Sequence, residues 1–387
     1  MRKVAIVGVG QVPVREHWDS GLRELAVKAV LEAMKDAGIQ QADALFVGNM
    51  LGSYFSDQSN LGALIAEYAG LEVNEAVTVE AACASGAAAF RQAVLAVASG
   101  SVDTAIAVGV EKLTERSDVS PASGLATAAD ADYEAAMGLS FVAINALLMR
   151  RYMHEYKCKK NDFAGFVINA HENAAHNKNA MFKNTITTEE YAKAKLIADP
   201  INLLDSSPVS DGAAAVVISS VDNLEKFSSK PVLVAACEVG MDTITLSKRS
   251  NLLRLKAVEK STARAFQTAG IQHKDIDLLE VHDAFSIMTT LALEASGFVD
   301  WGKGLMLANN GEIRINGRLP LCTFGGLKAR GHPVGATGIY QIVEAAIQLR
   351  GEAPAPIQVS DPRYALTQNI GGSASIAITS ILERIKF

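Results

Sequence analysis

His332-Pro333-Val334-Gly335-Ala336-Thr337-Gly338-Ile339-Tyr340-Gln341-Ile342-Val343 has a counterpart far upstream in the same chain, Cys83-Ala84-Ser85-Gly86-Ala87-Ala88-Ala89-Phe90-Arg91-Gln92-Ala93-Val94. A single offset of 249 carries Cys83, Gly86, Gln92 and Val94 onto His332, Gly335, Gln341 and Val343. Each stretch opens on small residues and continues as an apolar helix. Two halves related in this way can pack about a pseudo-twofold axis. A thiol and an imidazole at equivalent helix starts then face one another, as a nucleophile and its base must. A second correspondence supports the duplication: Ala33-Met34-Lys35-Asp36-Ala37-Gly38-Ile39 resembles Ala265-Phe266-Gln267-Thr268-Ala269-Gly270-Ile271 at an offset of 232. In both, a helix stops at glycine and leads to a strand, 43–47 or 277–281, and each half opens on a strand-like run, 3–7 or 231–235. The unequal offsets put extra residues into the second half, in the Gly/Asn-rich stretch 301–319. A repeat of this period means two fused domains rather than a short solenoid.

The 387 residues are 49% hydrophobic and 20% charged, a globular mixture long enough for two or three domains' worth of core. Helical and strand-like patterns alternate, which predicts α/β layers. A net charge of −6 argues against general nucleic-acid binding, and no apolar run reads as long enough to span a membrane. Met1-Arg2-Lys3 before an apolar stretch resembles a signal peptide, but Gly8 and Gly10 interrupt it and no cleavage pattern follows, so a first core strand is expected. Cys83, Cys158, Cys237 and Cys322 have neither Cys-x-x-Cys spacing nor a disulfide framework, which predicts a cytoplasmic chain. No metal site is expected. Gly8-Val9-Gly10-Gln11-Val12-Pro13 lacks the third glycine of a dinucleotide loop, and Pro13 obstructs the helix that such a loop must open.

The domain reading assigns 1–115 and 201–225 to an N-terminal half, 116–200 to an inserted lobe and 229–387 to a C-terminal half. The lobe has no counterpart in the second half and carries Arg150, Arg151, Lys157, Lys159, Lys160, Lys178, Lys183, Lys193 and Lys195 against an acidic chain. Such charges are ordinarily a solvated helical surface. The functional alternative is a lobe that covers the active site and meets a phosphorylated ligand. A lone cysteine is likewise more often a small core residue than a nucleophile. At a helix start, however, Cys83 would have its thiol pKa lowered and would meet backbone N–H groups able to hold an oxyanion. Glycines on both sides of His332 let backbone approach a substrate closely.

These strings resemble the thiolase superfamily across the whole chain. Glu80-Ala81-Ala82-Cys83-Ala84-Ser85-Gly86 is similar to its nucleophile motif, and Gly325-Gly326-Leu327-Lys328-Ala329-Arg330-Gly331-His332-Pro333-Val334-Gly335-Ala336-Thr337-Gly338 to its Gly-His-Pro motif. Ser210-Asp211-Gly212-Ala213-Ala214-Ala215 matches a further signature. Val281-His282-Asp283-Ala284-Phe285, Gly109-Val110-Glu111-Lys112 and Asn369-Ile370-Gly371-Gly372 resemble the branch of archaeal acetoacetyl-CoA thiolases and sterol-carrier-protein-type thiolases. The second acid/base cysteine of the family is absent: Asn369 and Ala284 stand in its two usual places, and neither Cys237 nor Cys322 matches a catalytic position.

The resemblance implies an α/β fold of five layers, αβαβα, built from two pseudo-symmetric halves plus the inserted loop lobe. It implies a Claisen-type acyltransferase that joins two acetyl-CoA into acetoacetyl-CoA through an acyl-Cys83, feeding the mevalonate pathway. CoA thioesters are the substrates and no other cofactor is implied. The N–H groups of Cys83 and Gly371 would hold the first oxyanion, and His332 with His282 the second. In place of the missing cysteine, His282 or His332 would move the α-proton, with Asn369 and Asp283 in the same site and Asp283 orienting its neighbours or serving structure. Lys159, Lys160, Ser207, Gly325 and Gly326 are the residues expected to bind CoA. Partners implied are a second copy, as homodimer or homotetramer, and a complex with HMG-CoA synthase and a small zinc-binding protein. A longer-chain ketoacyl-CoA thiolase, a ketoacyl or HMG-CoA synthase, and a non-catalytic lipid-carrier or scaffold subunit are the alternatives. Retention of both Cys83 and His332 weighs against a scaffold, which needs neither.

Overall fold

A computed structural model describes residues 2–116, 118 and 120–385; Met1, Ser117, Val119, Lys386 and Phe387 lie outside it. The first half runs β1 (Val4–Gln11), α1 (Leu22–Ala37), β2 (Ala44–Gly48), α2 (Gly52–Phe55), α3 (Leu61–Tyr68), β3 (Glu75–Val79), α4 (Ser85–Ser99) and β4 (Thr104–Glu111). The lobe follows with α5 (Pro121–Ala126), α6 (Phe141–Tyr156), α7 (Ala164–Ala174), α8 (Thr188–Lys193) and a small hairpin of β5 (Leu196–Ala198) and β6 (Ile201–Asn202). β7 (Gly212–Ser220) completes the first half. The second half is β8 (Val232–Met241), α9 (Lys256–Ala269), β9 (Leu278–Glu280), α10 (Ser286–Ala295), α11 (Gly304–Asn309), α12 (Thr337–Arg350), β10 (Tyr364–Gly371) and β11 (Ile376–Arg384).

The duplication is visible in the strand order, β3-β2-β4-β7-β1-β8-β11-β10-β9. Read outward from the centre, β1-β7-β4-β2 and β8-β11-β10-β9 repeat the same pairings: antiparallel, antiparallel, then parallel. A parallel bridge from Leu279 to Leu321 stands where β3 pairs with β2 in the first half. Two residue pairs, Ala5 with Leu233 and Ile6 with Val232, join the half-sheets into one. The helix stops behind the second offset also match, since Gly38 and Gly270 both end their helices in the left-handed region, at φ 74° and 69°.

Layering follows from which helix faces are apolar. α1 and α3 cover the outer face of the first half-sheet, and α9 and α10 that of the second. Between the half-sheets lie α4 and α12, packed on each other and on strands of both halves, which makes five layers. α12 is buried almost throughout, its polar Gln341, Glu344, Gln348 and Arg350 included. The run Ala82–Ser99 is long and apolar enough to span a bilayer, contrary to the expectation from sequence. Its hydropathy reflects this central-layer position, where the α4 face toward α12 and the sheets is apolar. Gly8 and Gly10 have a packing role instead of a nucleotide-binding one: a Cβ on either would stand 2.4 Å from a carbonyl of α1.

The two central helices cross at their starts. A Cβ on Gly86 would lie 2.8 Å from Gly335 O, and one on Gly338 2.3 Å from Ala87 N. Gly86 and Gly335 are the pair related by the 249-residue offset, so backbone meets backbone at the axis. The lobe does not form a core of its own. Tyr152, Phe163, Phe166 and Val167 share one apolar cluster with Leu291, Leu305 and Ile370 of the second half.

Candidate active site

A cavity of about 330 Å³ opens at the crossing of α4 and α12. Cys83 reaches it from the first half, and His282, His332 and Gly372 from the second. Leu125, Phe141, Val142 and Asn145 of the lobe wall it, with Leu203 and the segment 206–209 leading back from the lobe and Phe285 and Met288 of the second half opposite.

Cys83 sits between β3 and α4. Ala82 before it adopts a left-handed φ of 52°, and Ser85 staples the turn by accepting from Ala81 N (2.9 Å) and donating to Ala82 O (2.6 Å). Burial pushes the thiol up to about 12, the Glu111 carboxylate adds to the rise, and the N–H of Gly372 pulls the other way. The helix start was expected to lower this pKa, but desolvation of a buried thiolate outweighs it. The thiol is therefore protonated at rest and needs a base. The backbone N–H facing the resting thiol belongs to Gly372, the residue after Gly371. Gly371 is the last residue of β10, in register with Ile376, and the chain turns at Gly372 with φ 58°.

His332 is held by its neighbours in one tautomer. Its backbone N–H donates to Ser210 Oγ (2.9 Å), and its ring Nδ1 lies 2.7 Å from Thr337 Oγ1. The Thr337 hydroxyl donates to Pro333 O (3.1 Å), so its oxygen must accept the proton on Nδ1, leaving Nε2 bare. His282 is set in the opposite sense. Asn369 Nδ2 donates to its Nδ1 (3.2 Å), which puts the proton on Nε2. The two rings meet edge to face with centroids 5.1 Å apart. One imidazole can thus accept a proton while its neighbour donates a hydrogen bond. Burial, with the nearby Lys328 and Arg330 cations, lowers His282 to about 3. Burial also brings His332 well below the usual histidine value, with His282 and Arg330 adding to it.

These directions give a pH prediction. A base that stays neutral well below pH 6.5 produces no loss of kcat/KM with a midpoint near 6.5 on acidification. Between about pH 8 and 5.5 the histidines are expected to add no acid limb, and any limb there comes from the buried Glu111 carboxylate, held up to about 7; a limb that persists at the ordinary histidine value in Glu111→Gln would show that His332 is hydrated and titrates freely. His332→Ala is expected to lose on the order of 10²-fold or more in kcat/KM, since it removes the base for both proton transfers. A near wild-type rate would detach the imidazole from the chemistry.

Other expected site residues are distributed unevenly. Ser207 lines the cavity and donates its N–H to Ala284 O (2.9 Å). Asn369 stands behind His282 rather than in the cavity wall. Asp283 is not in the wall either: it accepts from Leu327 N (2.6 Å) and lies 3.9 Å from Lys328 Nζ. A Cβ on Gly326 would touch that carboxylate at 2.5 Å, and one on Gly325 would strike Ala174 at the same distance. Gly325, Gly326 and Asp283 therefore brace the Gly-His-Pro loop from behind and do not line the cavity. Lys159 and Lys160 also lie outside the walls. Their turn packs on α7, α8 and α11, with Lys160 O accepting from Tyr191. The sequence reading missed Gly372, Thr337 and the apolar lobe wall; Thr337 lay inside the quoted Gly-His-Pro string, whereas the wall residues carry no local signal.

A thiol, a bare imidazole nitrogen and an N–H-bearing imidazole converge on one apolar-walled pocket at the axis of a duplicated five-layer fold, which describes an enzyme for acyl transfer. Comparison with known proteins gives the class its name. The family described as "Thiolase, N-terminal domain" matches residues 4–222, and "Thiolase C-terminal domain-like" matches 239–384. An acetyl-CoA acetyltransferase of Methanothermobacter thermautotrophicus is 43% identical over 99% of this chain and 100% of its own length. One from Methanocaldococcus jannaschii is 37% identical, covering 99% of each. Among solved structures, an Ltp2–ChsH2(DUF35) aldolase matches with TM-score 0.85 at 25% identity, over 100% of this chain and 99% of that one. The chain belongs to the thiolase family and is an acyltransferase.

Proposed function

We propose that the chain condenses two acetyl-CoA into acetoacetyl-CoA, and runs the reverse thiolysis, through an acetyl-Cys83. The observation that carries this reading is the convergence of Cys83, His332, His282 and the Gly372 amide on one cavity, and the name of the two archaeal relatives supports the acetyl substrate. In the first step the Cys83 proton passes to His332 Nε2 while sulfur attacks the thioester carbonyl. The carbonyl oxygen, now anionic, is held at the Gly372 N–H. Collapse expels CoA thiolate, which recovers the proton from His332. A second acetyl-CoA then loses an α-proton, for which the bare His332 Nε2 is the available acceptor, and its enolate oxygen is met by His282 Nε2–H. The enolate carbon attacks acetyl-Cys83, acetoacetyl-CoA leaves, and the proton on His332 returns to sulfur. No step needs a second cysteine.

Incubation with acetyl-labelled CoA thioester tests the reading. A thiol-sensitive label on Cys83 and formation of acetoacetyl-CoA are expected; no label would favour the scaffold or lipid-carrier alternative. Faster turnover of longer 3-ketoacyl-CoAs would favour the longer-chain alternative. Self-association is part of the proposal, because β3 is a sheet edge with exposed residues and a free row of backbone groups. A monomer by light scattering at micromolar concentration would refute it. Supply to the mevalonate pathway, work in the cytoplasm, and a complex with HMG-CoA synthase and a small zinc-binding protein complete the reading. Condensation is thermodynamically uphill, so direct transfer of product to a following condensation would draw it forward.

A further inference from the structure

We propose that Glu111 is a positioning residue whose carboxylate sets the approach of the thiol-bearing half to the imidazole-bearing half; the proposal rests on the acetyl-Cys83 reading above. Glu111 ends β4 and is fully buried. One oxygen accepts from Asn49 Nδ2 (2.9 Å) and Leu51 N (3.1 Å), the other from Met50 N (3.0 Å) and Gly335 N (3.0 Å). Leu51 packs in one small apolar cluster with Cys83 and Val334, and Gly335 lies in the turn just beyond His332. A single side chain therefore ties the loop against the nucleophile to the loop carrying its base.

Two features show that the arrangement is built for placement. Gly335 leaves no room for a side chain: a Cβ there would stand 2.7 Å from the Glu111 oxygen and 2.8 Å from Asn49 Cα. The charge, moreover, has the wrong sign for chemistry, since a carboxylate beside Cys83 opposes thiolate formation. Burial pushes Glu111 up to about 7, and its four donors pull it back. Only a carboxylate accepts at both ends. A carboxamide turns an N–H₂ toward one pair of donors, and aspartate falls short by one C–C bond of about 1.5 Å.

Single-turnover acetylation of Cys83, with steady-state KM, tests this on Glu111→Gln and Glu111→Asp. Both are expected to slow acetylation on the order of 10²-fold, because displacements near 1 Å have that effect. KM for acetyl-CoA should change less than about threefold, the pattern of a group that places rather than binds. A normal rate in Glu111→Gln overturns the proposal. So does a normal rate in Glu111→Asp, which would assign the effect to charge, or a rise in KM that accounts for the whole loss. Should neither variant fold, Asn49→Ala removes one donor and is expected to slow acetylation about 10-fold; an unchanged rate there overturns the proposal equally. Absence of label in the wild-type chain sinks both this inference and the acetyl-enzyme reading, whereas normal labelling in the variants sinks only the inference.

Discussion

Cys83→Ser is expected to take no acetyl label from acetyl-CoA and to lose turnover on the order of 10⁴-fold or more, as removal of a covalent nucleophile does elsewhere. Burial already pushes the Cys83 thiol up to about 12. That leaves little thiolate at neutral pH, so attack depends on proton transfer to His332 as the bond to carbon forms. A hydroxyl in the same buried site is harder to ionise and less nucleophilic, and the bare His332 nitrogen is too weak a base to make up the difference. The fold should survive. Serine is the smaller residue, so it introduces no clash at the cavity wall, and the site packs in a small cluster with Leu51, Phe55, Leu113 and Val334 apart from the large cores. Labelling, thiolysis rate and thermal midpoint together check the prediction. Thiolysis retained in a well-folded Ser variant would remove Cys83 from the mechanism.

The fold was legible because it is a duplication. Offsets of 249 and 232 paired residues that the structure does pair: Gly86 with Gly335 at the crossing, and Gly38 with Gly270 at helix stops. Cys83, His282 and His332 could be found because each lies in a short contiguous string, with glycines close by in the strings of Cys83 and His332. The rest of the site depends on long-range packing. Leu125, Phe141 and Met288 come together only when α5 and α6 close over α10, and nothing in their immediate sequence says so. Glu111 lay in a quoted string, yet its four donors come from residues 49–51 and from Gly335, two loops with no local relation to it. The direction of the thiol shift was misread for a related reason. A helix start is visible in sequence, whereas the depth of burial that overrides it is set by both halves and the lobe. Likewise, which glycine amide meets the thiol depends on where β10 stops pairing with β11, a matter of one residue that sheet register decides.

His282→Ala should separate the two halves of the reaction. Acetylation of Cys83 requires the thiol, the bare nitrogen of His332 and the Gly372 amide, none of which the variant removes, so the acetyl label should appear at a rate within about threefold of wild type. Condensation requires an enolate, and the group presenting an N–H where its oxygen would form is His282, aimed by Asn369. Loss of one such donor from a buried site typically removes 10²–10³-fold, and the condensation rate is expected to fall by about that much. His282→Asn should be milder, because a carboxamide also carries an N–H and can hold a water. Exchange of the acetyl-CoA methyl hydrogens with solvent isolates the enolate step from carbon–carbon bond formation, and it should fall in parallel with condensation. If His282 only supported the end of its strand, both activities would decline together with thermal stability. Exchange undiminished in a stable His282→Ala would show that the enolate forms without it, leaving His332 to both take the proton and face the oxygen.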